Sequence, residues 1–175
     1  SSPVTWSRMF NTLMADPVLR ERYQFWFFCY PTGYPVPYTA RILRDSLQDV
    51  RRSYDSDART SKSQDMVVCG HSMGGLLTRT LLPESGDRLW KLVSGAPFED
   101  TALSPEEREL VASTMFFEAQ PYVKRVVFMA TPHRGANMAT GLVGWIGRTL
   151  IDLPGSMVGG VESIYRKVAG AGGRS

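Results

Sequence analysis

An α/β domain built on a parallel sheet is the fold class that this sequence predicts, and three observations carry the prediction. Short apolar runs without breakers, Tyr23 to Cys29, Met66 to Gly70 and Arg125 to Ala130, have the composition of strands covered on both faces. Stretches with apolar residues at helical spacing lie before and between them. The second run ends in Gly70-His71-Ser72-Met73-Gly74-Gly75, a serine set between glycines where a strand should turn sharply into a helix.

Taken in order, Trp6, Met9, Phe10 and Leu13 share one helical face, and Asp16-Pro17 marks a fresh helical turn with proline in its first position. The Tyr23 to Cys29 run is followed by the turn-rich segment Pro31 to Pro37. Leu43, Leu47 and Val50 then define an amphipathic helix with Arg41, Arg44, Asp45, Gln48 and Arg51 between them. Tyr54 to Gln64 is polar and reads as a surface connection. The helix after the serine carries Leu76, Leu77 and Leu81 and stops before Pro83.

From 83 to 123 the periodicity weakens, apart from Ser104-Pro105-Glu106-Glu107, a helix start with a capping serine, proline first and acids in the opening turn. An insertion of this size is either a lid over a pocket or an ordinary packed excursion. After the Arg125 to Ala130 run, Thr131-Pro132-His133-Arg134-Gly135 turns away. Val161, Ile164, Tyr165 and Val168 give a last helical face, and the glycine-rich end, 170–175, reads as a flexible tail.

Composition narrows the function classes. With 175 residues and 43% hydrophobic content the chain is expected to form one domain over 1–175. Its 20 basic and 17 acidic residues, net +3, are scattered and make no stripe suited to nucleic acid. No apolar run approaches the roughly 18 residues that span a bilayer. Cys29 and Cys69 each end an expected strand and read as small buried apolar side chains, with too few companion ligands for a metal. No cofactor is implied, and nothing indicates a compartment.

The chemistry concentrates at Ser72. A serine hydroxyl is a weak nucleophile until a base can reach its proton and backbone amides face the developing oxyanion, and a strained strand-to-helix turn presents it so. The plainer alternative is a turn in which Ser72 only caps the helix through its oxygen. His71 is a poor base, because neighbours on an extended segment point to opposite sides. His133, at the carboxyl end of the next strand, is the candidate for a base or for a loop-shaping position beside the site. Glu84, Asp87, Glu99, Asp100 and Glu118 lie between Ser72 and His133 in sequence, and Asp152 and Glu162 follow.

Two motifs, Gly70-His71-Ser72-Met73-Gly74-Gly75 and Phe128-Met129-Ala130-Thr131-Pro132-His133-Arg134-Gly135, resemble the α/β-hydrolase superfamily, in particular its bacterial lipase and esterase-like branch. The opening Ser1 to Trp6 also resembles the segment after that family's His-Gly oxyanion loop. The resemblance implies a partial hydrolase fold, with the three apolar runs as its fourth, fifth and sixth strands and the remaining strands outside this chain. It implies that Ser72 is the nucleophile and that the N–H of Met73 is half of the oxyanion hole. His133 then shapes a loop beside the site, and the triad acid and base come from residues absent here. The expected activity is hydrolysis of carboxylic esters of small molecules or lipids, Phe116 and Phe117 favouring acyl chains. Acyl transfer through the same serine, or a hydrolase-like domain or fragment without turnover, are the alternatives.

Overall fold

A computed structural model describes residues 3–31, 33–55, 63–133, 163–164 and 166–168. The chain forms two compact units, residues 1–32 and 33–175.

In the first unit a 3-10 turn, Pro3–Trp6, runs into α1 (Ser7–Ala15), and α2 (Pro17–Arg22) follows at once. Asp16 sets the break. Its carboxylate accepts from the N–H groups of Val18 and Leu19, and Pro17 occupies a first-turn position that needs no intrahelical donor. Residues 23–30 then belong to neither helix nor strand, which corrects the strand expected over Tyr23 to Cys29. Rings pack where a ladder was expected: Phe10 meets Phe25 and Phe27 edge-on at 5.7 and 5.5 Å, and Phe28 stacks on Tyr30 at 5.3 Å. Aromatic density satisfies strand propensity, but a strand also needs a neighbour to take its N–H and C=O groups.

The second unit contains the α/β element order. α3 (Val36–Tyr54) precedes β1 (Met66–His71), α4 (Met73–Arg79), α5 (Arg88–Lys91), α6 (Pro105–Met115) and β2 (Val123–Met129). Among the described residues the sheet has two strands, β1 and β2, paired in parallel from Val67 opposite Arg125 to His71 opposite Met129. The protein is thus mixed α/β with a small parallel sheet, the coarse class read from the sequence.

One face of that sheet, with Met66, Val68, Gly70, Val126 and Phe128, is buried or half-buried. α4 packs on the sheet and α3 packs on α4. The other face carries Val67, Cys69, Arg125 and Val127, all exposed. Both cysteines are free and exposed, so neither is the buried apolar side chain expected from sequence.

Buried residues of α3 are Thr39, Ala40, Leu43 and Arg44. Arg44, expected on the polar face, donates to the Thr80 hydroxyl (3.4 Å) and the Ser113 carbonyl (3.2 Å) and lies 4.2 Å over the Phe117 ring. Desolvation lowers its pKa to about 10, which leaves it charged at neutral pH.

The 83–123 segment builds its own apolar cluster. Trp90 and Val111 pack with Val168, and Phe98, Leu103, Met115, Phe116 and Ile164 surround them. α6 starts as its sequence demands, Ser104 and Glu107 capping each other's backbone N–H groups. Phe116 lies against Phe98 at 4.9 Å and Phe117 lies beneath Arg44. Both rings are half-buried and take part in this packing. Asp152, Glu162 and the 170–175 tail lie outside the described residues.

Candidate active site

The end of β1 and the start of α4 are forced together by missing side chains. A Cβ on Gly70 would fall 2.6 Å from the Cα of Gly75, 2.7 Å from Thr78 Oγ1 and 2.8 Å from the Gly74 carbonyl. A Cβ on Gly75 would fall 1.8 Å from Thr131 Oγ1. Only glycine permits strand, helix and neighbouring loop to approach this closely, so the motif's spacing has a steric cause.

Ser72 is the hinge of this arrangement. Its φ of 52° and ψ of −122° lie outside the left-handed helical well as well as the right-handed one, a conformation that costs an L-residue of order 1–3 kcal/mol. Two hydrogen bonds hold it there: the Ser72 N–H donates to the Met129 carbonyl at 2.9 Å, and the Ser72 carbonyl accepts from the Gly75 N–H at 3.0 Å. The residue is exposed, and its hydroxyl makes no capping bond to α4. That geometry disagrees with a serine present only to cap the helix. Met73 opens α4, where a backbone N–H has no intrahelical acceptor.

The second sequence motif adjoins the first. Ala130, which follows β2, also has a positive φ, 46°. Register places it beside Ser72, since His71 is opposite Met129. Thr131 Oγ1 points between two carbonyls, Gly70 at 3.5 Å and Met129 at 3.4 Å. His133 turns back so that its N–H donates to the Thr131 carbonyl at 2.9 Å, while its own carbonyl accepts from Arg79 Nη1 at 3.0 Å. The His133 ring is exposed and packs edge-on against Phe128, with centroids 4.5 Å apart. Among the described residues no hydrogen bond joins it to Ser72. His71 is exposed at the end of β1.

Thr131, Ala130 and Arg79 are the residues to which sequence reasoning assigned no role. Thr131 was visible as part of a motif, but its contact partner, Gly75, lies 56 positions away in sequence and announces itself only as a glycine.

An open depression of about 350 Å³ lies at the opposite end of the strands, lined by Gln48, Arg51, Arg52, Asp55, Gln120, Pro121 and Tyr122. Its place is fixed by Tyr122, which precedes β2 and accepts the Met66 N–H through its carbonyl at 2.8 Å. Arg51 lies 4.2 Å over the Tyr122 ring, and the Tyr122 hydroxyl donates to Gln120. Among the described residues there is no cluster of three metal-ligating side chains, and no helix is long and apolar enough to cross a membrane.

No family model matches the chain, and no curated protein or solved structure matches it.

Proposed function

We propose that this chain carries the nucleophile of a serine hydrolase that cleaves carboxylic esters through an acyl-Ser72 intermediate. The observation that supports the reading best is the backbone of Ser72: an exposed non-glycine residue at φ 52°, ψ −122°, between β1 and α4, with its hydroxyl left out of the helix cap. Strain of this kind persists only where surrounding structure enforces it, and it concentrates at sites of chemistry.

In the proposed reaction the Ser72 hydroxyl oxygen attacks the ester carbonyl carbon and its proton passes to a histidine base. Negative charge moves to the carbonyl oxygen, where the Met73 N–H donates. Collapse of this intermediate breaks the ester C–O bond, and the leaving alkoxide takes the proton from the histidine. Water then repeats the sequence on the acyl-serine and releases the carboxylic acid. With the His133 ring packed on Phe128, the base and its acid partner are assigned to residues outside these 175, His133 acting as part of the neighbouring loop.

The test is labelling of the full gene product with a fluorophosphonate. The expected result is a single adduct on Ser72, absent in Ser72→Ala, with ester hydrolysis in that variant reduced by roughly 10⁵-fold. A folded protein that neither reacts nor hydrolyses esters would remove the reading.

A further inference from the structure

The stretch from Met129 to His133 touches the Ser72 hinge and the α4 that follows it at three points. The Met129 carbonyl, one residue ahead of the turn at Ala130 to His133, accepts the Ser72 N–H. Thr131 covers Gly75 so closely that its Oγ1, Cγ2 and Cβ lie 1.8, 2.6 and 2.7 Å from the position a Cβ there would take. Arg79, the last residue of α4, donates to the His133 carbonyl. The turn is itself held at a positive φ by Ala130, a residue that gains nothing locally from that conformation.

We infer that Thr131 is a positioning residue for Ser72: its branched side chain, seated on Gly75, holds the first turn of α4 against β2 and so keeps the nucleophile and the Met73 N–H in register. The inference rests on the hydrolase reading. The hinge cannot relax by moving α4 outward without losing the Thr131 contact, and it cannot move inward, because Gly70 and Gly75 already leave no room for a Cβ. The fit is steric more than polar. The Thr131 hydroxyl shares its hydrogen between two carbonyls at the long end of hydrogen-bond range, 3.4 and 3.5 Å.

That distinction gives the experiment its variants. The rate constant and stoichiometry of fluorophosphonate labelling are measured in the full gene product, well below the thermal midpoint of each variant. Thr131→Val keeps two branches on Gly75 and is expected to label within about twofold of the parent, because β-branching is retained and only the two long hydrogen bonds are lost. Thr131→Ala removes both branches and is expected to label about tenfold more slowly at unchanged stoichiometry, as misplacement of a reacting group by a fraction of an ångström costs rate. A purely structural role would instead lower the labelled fraction and leave the rate of that fraction intact.

Should Thr131→Ala not fold, Thr131→Ser, which lacks only the methyl, replaces it with an expected loss of a few-fold. Labelling of the truncated variant at the parental rate overturns the inference while leaving the hydrolase reading in place. Absence of labelling in the parent itself overturns that reading and the inference with it.

Discussion

The two ends of the β1–β2 sheet are built on opposite terms. At the carboxyl end stand Ser72 and Ala130, the two non-glycine residues with positive φ among those described, beside glycines whose missing Cβ atoms leave no slack. At the amino end the backbone is ordinary, the space opens into a depression, and long side chains settle against one another, Arg51 on the Tyr122 ring and Tyr122 on Gln120. The carboxyl end spends stability on backbone conformation, whereas the amino end surrounds an open depression with backbone free of positive φ. The proposed chemistry rests on the first end, where an outlier in backbone geometry is enforced by named neighbours.

Three substitutions break or sharpen that contrast, and a fourth probes the 83–123 segment beside it. The largest effect is expected for Gly70→Ala. Two of the atoms its Cβ would meet, the Gly75 Cα at 2.6 Å and the Gly74 carbonyl at 2.8 Å, are backbone and have no rotamer to change. Chemical denaturation should show a loss of about 3 kcal/mol, the upper range for overpacking, together with loss of Ser72 labelling. A stability close to the parent's would mean that α4 sits farther from β1 than described.

Ser72→Gly works in the other direction. Glycine tolerates φ 52°, ψ −122° freely, so this variant should be more stable than Ser72→Ala by about 1 kcal/mol while both are inert to a fluorophosphonate. Equal stability of the two variants would show that the hinge is not strained. At the amino end, Arg51→Ala removes a cation held over the Tyr122 ring and should cost only about 0.5–1 kcal/mol in thermal or urea melts. Its labelling rate should equal the parent's, and a fall in that rate would couple the two ends.

The smallest effect concerns pH and lies in the 83–123 segment. Glu107 accepts from Lys167 (2.6 Å) and the Ser104 N–H (2.7 Å), and these bonds, with one from Ser163, draw its pKa down to about 2. A carboxyl whose folded pKa is depressed adds stability above its unfolded pKa of about 4.3. That contribution fades as pH falls toward 2. Melts of Glu107→Gln against the parent should therefore differ at neutral pH and converge across that interval, and a difference independent of pH would assign the effect to packing.

Legibility in the sequence followed the range of the interactions. The hinge at Ser72, the capping box at Ser104 and the break at Asp16-Pro17 depend on residues within a few positions of each other, and each is found where the pattern placed it. Arg44 read as a solvated cation because its partners come from two distant segments, Thr80 at the end of α4 and Ser113 and Phe117 at the end of α6. Tyr23 to Cys29 read as a strand because ring-rich runs suit a ladder, yet no periodicity tells whether a partner strand is supplied. Cys69 alternates with half-buried Val68 as a strand residue should, but which face of β1 receives a cover is a tertiary fact. At the candidate site the strained turn at Ser72 was legible and the contact of Thr131 with Gly75 was not, since those two residues meet only through the β1–β2 pairing.

One bond ties the fate of the proposed nucleophile to a neighbouring strand: Ser72 N–H to the Met129 carbonyl. Met129 is the final residue of β2, and strand ends fray long before a domain unfolds as a whole. Gentle heating or dilute urea should thus disarm Ser72 while α3 and α6 remain wound, so that chemical reactivity vanishes ahead of far-ultraviolet ellipticity.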